Sequence, residues 1–453
     1  MSWTPQIAGS GKPKYLALVD ELEADIASGR LREGDRLPPQ REIASRLGVT
    51  IATVTRAFGE AGRRGLISTR TGSGTFVRAL GPAAIVAPDS LDLSLNTVPA
   101  WVAKPFIEAA LRELSLSAGE DLFGYQPVIG LDRHRRAMAA WFGDRLPASG
   151  ATEISLTHGA QQGLAACFAA LVRPGDTVLS EQWTYTGIRR LAAAAHVTLA
   201  GVDVDCEGMR PDALEAGLER TGARVVICSS VVQNPTTATM SAERRRAIVA
   251  VCRAKDVILV EDDILGRLSA DAEETLAALA PERVIYLTSV SKIISPGLRL
   301  GLLASPPHLS GDLREKLVSL NWTAPSFFAE LFARMAANGQ ADGCVEAHRQ
   351  EISRRLDAAR ELLGPAAIPT QPSYHLWLPV PEGWRLDEIV ADLQAQNVRV
   401  SPSSNFQVDA ALSAPAFVRV SLGAVEDFAQ LTAALRRIAS VWSSSPRLAS
   451  TII

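Results

Sequence analysis

The stretch Thr288-Ser289-Val290-Ser291-Lys292-Ile293-Ile294-Ser295-Pro296-Gly297-Leu298-Arg299 follows directly on the apolar run Val284 to Leu287. A short apolar, β-branched run bounded by small polar residues reads as a buried strand, which puts Lys292 just past a strand end. An amine there is poorly solvated, gives up its proton more readily than a surface lysine, and is suited to form a Schiff base with an aldehyde. The hydroxyls of Ser289 and Ser291 and the guanidinium of Arg299 suit a phosphate, the arginine through charge-assisted hydrogen bonds.

Upstream, three more segments read as strands running into polar or turn residues. Val257 to Val260 leads into Glu261-Asp262-Asp263, and a buried aspartate at a strand end holds a pyridine nitrogen protonated; Asp262 is assigned that role. Val225 to Cys228 precedes Val232-Gln233-Asn234-Pro235-Thr236, so Asn234 lies beyond a strand's C-terminal end, where α/β sheets bind ligands, and its amide can donate to a phenolate oxygen. Ser155-Leu156-Thr157-His158-Gly159-Ala160-Gln161 reads as strand, glycine turn and helix start, with the backbone N–H groups of Ala160 and Gln161 free to meet a phosphate. Such runs alternate with helical segments from about Leu91 onward, which predicts a mainly parallel α/β sheet. After Pro325 the helices lengthen, and mixed segments near Tyr374 to Leu378 and Phe417 to Leu422 suggest a small α+β subdomain. The domain expected over 91–440 divides into a large part, 91–325, and a small C-terminal part, 326–440.

The segment before it differs in kind. In Lys14 to Gly29, Tyr15, Leu18, Val19, Leu22 and Ile26 recur at helical spacing. Pro38-Pro39 open a second helix with Ile43 and Leu47 inward, Gly48 closes it, and Thr50 caps a third helix whose Val54, Ala57 and Phe58 face inward. Two short helices joined by a tight glycine turn are a helix-turn-helix. Leu66 to Val77 reads as a hairpin around Thr71-Gly72-Ser73-Gly74, a wing. The third helix would offer Thr50, Thr53 and Arg56 to bases or phosphates, Arg41 would clamp the backbone, and Gly72 and Ser73 would shape the wing over the minor groove. This head is expected over 12–78, and the Ala- and Pro-rich residues 79–90 read as a linker.

Of the 453 residues, 47% are hydrophobic and 21% charged, which excludes a disordered or fibrous chain. The net charge of −3 conceals an asymmetry: twelve Lys and Arg against eight Asp and Glu up to Arg78, and 34 against 41 beyond it. A basic head on an acidic body suggests that the head alone meets nucleic acid. No apolar signal segment or membrane span is visible, so a cytoplasmic protein is expected. The five cysteines lack metal spacing and read as reduced, mostly buried thiols, and no metal site is expected.

The residues from Gly34 to Val77, GDRLPPQREIASRLGVTIATVTRAFGEAGRRGLISTRTGSGTFV, resemble the GntR-type winged helix. The segments QNPTTATMS, EDDI, TSVSK and PGLRLG resemble the fold-type I aminotransferases, and that resemblance covers nearly all of Leu91 to Ile438. A chain joining the two is similar to the MocR-type regulators. The resemblance implies pyridoxal 5'-phosphate (PLP) attached to Lys292, Tyr185 stacked on its ring, and Tyr125 reaching the phosphate of the neighbouring subunit. It implies an effector carboxylate held bidentately by Arg419, and a homodimer on a palindromic or direct-repeat double-stranded DNA operator. The effector would be a small amine or amino acid, or PLP itself. One position departs: where relatives carry tyrosine three residues after the aspartate, Leu265 stands, and it cannot donate to the phenolate oxygen, so transaminase chemistry is expected to be vestigial or partial. Ile51 also stands where many relatives have a basic residue. The rivals are a working aminotransferase with an accessory DNA-binding head, and a PLP-free scaffold that only pairs the heads.

Overall fold

A computed structural model of the chain describes residues 3, 5, 14–27, 30–31, 34–63, 66–70, 74–77, 91–117, 119–148, 152–269, 273–322, 324–409 and 415–444. The chain divides into two units, Met1–Asp89 and Ser90–Ile453.

In the first unit three helices, α1 (Lys14–Ala27), α2 (Gln40–Leu47) and α3 (Ile51–Arg63), precede an antiparallel ribbon of β1 (Ile67–Arg70) and β2 (Gly74–Val77). Leu18, Val19 and Leu22 on α1, Ile43 on α2, and Val54, Ala57 and Phe58 on α3 form the apolar stripes that close one core with Ile67 and Val77. Gly48 adopts the left-handed conformation that ends α2, at φ 60°, and returns its N–H to the Ala44 and Ser45 carbonyls. Thr50 Oγ1 then accepts the Thr53 N–H at 3.2 Å and opens α3. A hydrogen bond of 2.7 Å from Thr55 to Gln40 Oε1 ties α3 to the start of α2. Gly72 and Ser73 lie outside the described residues.

The second unit begins with β3 (Leu91–Asp92), α4 (Ala100–Ser117) and α5 (Asp132–Phe142). Strands and helices then alternate: β4 (Glu153–Thr157), α6 (Ala160–Leu171), β5 (Thr177–Glu181), α7 (Thr186–Ala194) and β6 (Thr198–Val202). A small ribbon, β7 (Val204–Asp205) with β8 (Gly208–Met209), leads to α8 (Pro211–Thr221), β9 (Val225–Cys228), α9 (Ala242–Ala254), β10 (Ile258–Asp262) and α10 (Leu276–Leu279). Next come β11 (Val284–Ser289) and β12 (Gly301–Ser305). The seven larger strands form one sheet in the order β4-β12-β11-β10-β9-β5-β6, parallel except that β12 runs against both of its neighbours. Every residue of β9 and of β11 is buried, as expected of strands with helices on both faces. The parallel strands end at one edge, and because β12 is reversed, its first residue sits at that same edge.

Helices α11 (Pro307–Leu320), α12 (Ser326–Ala337) and α13 (Gln340–Leu363) lead into the small part, where β13 (His375–Pro379), α14 (Leu386–Ala395), β14 (Val398–Arg399), β15 (Ser401–Pro402), β16 (Phe417–Ser421) and α15 (Phe428–Trp442) follow. Its three-stranded antiparallel sheet has the order β13-β16-β15, and β14 pairs with β3. Arg355 of α13, wholly buried, donates to Glu351 and to the Leu422, Val425 and Glu426 carbonyls, which anchors the chain leaving β16. Cys167, Cys228, Cys252 and Cys344 are buried free thiols, whereas Cys206 is exposed. Among the described residues no helix is long and apolar enough to cross a membrane.

Candidate cofactor site and DNA-reading helix

The residues singled out beyond the linker gather at the sheet edge where the parallel strands end. Asp262 closes β10, Lys292 ends the short turn after β11, Asn234 lies in the loop after β9, Tyr185 caps α7 after β5, and Ala160 and Gln161 open α6 after β4. Arg299 lies two residues before β12. Gly159 takes φ 80°, and a Cβ there would sit 3.1 Å from the Arg299 guanidinium, so this turn and that side chain close on one small space with the free N–H groups of α6. Ser289 Oγ donates to the Leu300 carbonyl at 2.8 Å and can accept from the Ser291 hydroxyl at 2.9 Å, which holds the lysine turn against the start of β12. The Tyr185 ring and Gln161 Oε1 both crowd Gly187, where a Cβ would meet them at 2.2 and 2.4 Å.

The two aspartates of β10's end differ sharply. Asp263 Oδ2 accepts from Arg145 Nε at 2.6 Å and from the Tyr286 hydroxyl at 2.7 Å, so it is occupied by the fold. Asp262 is buried, and its Oδ1 has no hydrogen-bond partner among the described residues. Burial, then the neighbouring Asp263 charge, pushes its carboxyl up to about 7. Lys292 moves the other way: burial, then the Arg419 and Arg299 charges, bring its ammonium down to about 8. The lysine donates to the Asn96 carbonyl. Arg419 is buried, with Nη1 on Asn234 Oδ1 at 2.8 Å, Nη2 on the Ser94 carbonyl, and its guanidinium 4.7 Å over the Phe406 ring. Its Nε has no partner among the described residues, and each terminal nitrogen makes one hydrogen bond and keeps a second N–H that a carboxylate could meet. Leu265 packs into the main core, and Ile264 beside it is also apolar, so neither supplies a hydroxyl. Tyr125 stands apart, 86% exposed, in a surface cleft it shares with Phe123, His158, Phe327 and Phe328.

These residues fit PLP. Arg299, the serines and the α6 N–H groups offer a phosphate cradle, the bare Asp262 oxygen suits a pyridinium N–H, and Lys292 supplies an amine near its neutral form. In the head, Arg41 and Ile51 are exposed, while Thr50 and Thr53 share a hydroxyl contact of 2.9 Å. The exposed Arg56 of α3 lies 4.1 Å over the ring of Tyr15 on α1.

Comparison with known proteins agrees with both units. Residues 14–77 match the family of bacterial regulatory proteins of the gntR type, and residues 88–438 match aminotransferase class I and II. An uncharacterized HTH-type transcriptional regulator of Bacillus subtilis, YdeF, is 30% identical over 97% of both chains. The vitamin B6 salvage pathway transcriptional repressor PtsJ of Salmonella typhimurium is 32% identical over 66% of this chain and 69% of its own. The probable rhizopine catabolism regulatory protein MocR of Rhizobium meliloti is 27% identical over 77% of this chain and 76% of its own. The chain belongs to the MocR-type regulators of the GntR superfamily. In fold, the second unit of this MocR-type chain resembles a kynurenine aminotransferase of Pyrococcus horikoshii, with TM-score 0.73 and 23% identity over 78% of this chain and 91% of that one. It is accordingly a PLP-dependent, DNA-binding transcription regulator with an aminotransferase-like domain.

Several site residues escaped the sequence reading. Ser94 and Asn96 contribute backbone carbonyls, which carry no side-chain signal. Arg145 and Tyr286 show their part only through Asp263. Glu181, buried at the end of β5 with its carboxyl pushed up to about 8 by burial, accepts the Ser229 N–H at 2.7 Å, and it reads in sequence as an ordinary strand end.

Proposed function

We propose that this regulator carries PLP on Lys292 and responds to a small amine or amino acid whose carboxylate meets Arg419, with PLP itself as the other ligand of this class. The observation that carries the reading is the pairing at one sheet edge of the bare Asp262 oxygen with the partly neutralised Lys292 amine. When bound, the cofactor supplies an aldehyde that captures an amine reversibly. In this reading Arg299, Ser289 and Ser291 would hold a phosphate, Asp262 would hold a proton on a ring nitrogen, and Asn234 keeps Arg419 oriented. Tyr185 covers the ring, and its hydroxyl is held in the protonated form by burial and by the Asp262 charge. The name of the Salmonella relative, a vitamin B6 salvage repressor, supports PLP as a sensed ligand.

The division into a reading head at 12–78, a linker at 79–90 and an effector domain at 91–440 belongs to this proposal, as does a cytoplasmic homodimer on a two-half-site operator. Exposed Phe123, Tyr125, Phe327 and Phe328 line one apolar cleft of the kind that marks a protein contact, and a second copy is the occupant proposed. An effector shifts DNA binding only by preferring one conformation of the protein, so its affinity and the operator's are reciprocally linked. Arg41, Thr50, Thr53 and Arg56, with Gly72 and Ser73, are assigned to DNA.

The test is the visible spectrum of the wild type and Lys292→Ala after PLP addition, borohydride trapping read by mass spectrometry, and operator binding with and without PLP. Trapping on Lys292 of the wild type alone supports the reading; retention by neither protein makes the domain a scaffold. Amino-acid turnover at ordinary enzyme rates would favour an aminotransferase with a DNA-binding head.

A further inference from the structure

We infer that the outward face of α3 reads thymine methyl groups, with Ile51 and Ala52 as the reading residues, so that the operator is chosen by where its methyls stand more than by hydrogen bonds to purine edges. The inference rests on the reading of α3 as the helix that enters the major groove, and goes beyond it by naming the chemistry that is read.

On α3, Val54, Ala57, Phe58 and Ala61 are buried in the core of the head. The residues left exposed, Ile51, Ala52, Thr55, Arg56 and Gly59, recur at helical spacing and so make one outward face. Ile51 is 49% exposed at the first position of the helix, where a recognition helix meets base edges. A single exposed apolar residue is ordinary on any surface. Here the whole start of the face is hydrocarbon, because Ala52 beside it adds a methyl and no polar group.

The hydroxyls nearby serve the fold. Thr55 gives its proton to Gln40 Oε1 at 2.7 Å, while Thr50 Oγ1 accepts the Thr53 N–H at 3.2 Å and meets Thr53 Oγ1 at 2.9 Å. A two-pronged grip on guanine or adenine needs a guanidinium or an amide, and positions 51 and 52 hold neither. What they offer a base edge is alkyl surface, and the alkyl group that a base pair shows in the major groove is the C5 methyl of thymine.

Cations on neighbouring elements supply the other half of a DNA contact. Arg41 in the first turn of α2 and Arg36 against the ribbon are exposed and make no ion pair among the described residues. Arg36 lies along β2, its Nε 2.8 Å from where a Cβ on Gly74 would stand, and the Leu37 N–H beside it donates to the Thr75 carbonyl at 2.9 Å. Unpaired guanidiniums around an alkyl helix face match the phosphates that line a groove, and this commits the occupant to duplex DNA rather than to a second protein.

The experiment selects a binding duplex from a randomised library with the full-length protein, then replaces each thymine of that duplex, one at a time, by deoxyuridine. The replacement removes the methyl and keeps every hydrogen bond, and fluorescence anisotropy reads the affinity. Particular thymines are expected to lose about fourfold each in the wild type, the worth of one buried methyl-sized group, while the others change little. Ile51→Ala is expected to weaken the thymine duplex and to shrink the uracil penalty at one such position to under about twofold, a coupling that a general loss of binding does not produce. Ile51→Val, which keeps branched methyls, is expected to retain most of the penalty, and thermal melting of each variant guards against a folding defect. No uracil penalty, or one that both Ile51→Ala and Ala52→Gly leave unchanged, overturns the inference. If Arg41→Ala and Arg56→Ala weaken binding in that case, α3 keeps its place in the groove and only the methyl reading fails. If neither does, the assignment of α3 fails and the inference goes with it. A library from which no duplex is enriched overturns it as well.

Discussion

Two buried polar clusters in the second unit use the same kinds of groups to opposite ends. Around Arg355 each guanidinium nitrogen donates, Nε to Glu351 at 2.6 Å, Nη1 to the Val425 carbonyl at 2.6 Å and Nη2 to the Glu426 carbonyl at 2.9 Å. At the ligand edge Asp262 Oδ1, Arg419 Nε and Ser421 Oγ are buried and have no partner among the described residues. A closed network stabilises a fold, whereas an open one costs stability until something outside the fold fills it. The adjacent pair shows a partial form of the contrast: Asp263 holds Arg145 and Tyr286 through Oδ2, while its Oδ1, like Asp262 Oδ1, has no partner among the described residues.

Variants can break or sharpen this contrast. Lys292→Ala should abolish the borohydride-stable adduct entirely while the protein without cofactor melts within a few degrees of wild type; retention of the adduct would move the attachment elsewhere. Arg355→Ala, which removes the buried partner of Glu351 and of three carbonyls, should cost about 3–5 kcal/mol in urea unfolding, and a loss under about 1 kcal/mol would dissolve the distinction. Asp263→Asn should cost about 1–3 kcal/mol of stability through Arg145 and Tyr286. Asp262→Asn should instead weaken PLP retention about tenfold or more, the cost of one charge-assisted hydrogen bond, with little change in unfolding.

Capture of PLP by the wild type should quicken as pH rises through about 8, because burial and two arginines lower the lysine's proton affinity and only the neutral amine reacts; stopped-flow absorbance would test this. A midpoint near the ordinary lysine value would mean that the edge is wetter than its burial implies. The smallest effect is expected in the head, where Thr50→Ala removes the cap of α3 for about 1 kcal/mol, read as the thermal shift of the head's own transition.

The ligand edge was legible where a turn or polar segment follows a strand-like run: Asp262 shortly after Val257 to Val260, Lys292 in the turn after Val284 to Leu287, and Ala160 at the helix start after the Gly159 turn. Local pattern suffices there, because a strand end fixes both burial and edge. The head was legible for the same reason, through helix stripes and a glycine turn. Contacts between distant segments were not. Lys292 meets the Asn96 carbonyl across 196 positions, and Arg419 meets Asn234 across 185, pairings set by the docking of the small part on the large sheet. That docking also gives each terminal nitrogen of Arg419 one partner that the sequence reading did not foresee. Leu265 was recognised as a departure, but its packing into the core rather than the site emerges only in three dimensions.

Because β12 alone opposes the rest of the large sheet, no crossover helix separates it from β11. The two strands are joined by a loop closed at its neck by the Val290 N–H and Ser289 Oγ on the Leu300 carbonyl, at 3.1 and 2.8 Å. Lys292 and Arg299 both hang from this loop, one grip for an amine-reactive carbon and one for a phosphate. Opening the neck loosens both grips together, so the residence time of whatever is held there is tied to the breathing of one short loop. Hydrogen exchange at the Val290 amide would count those openings directly.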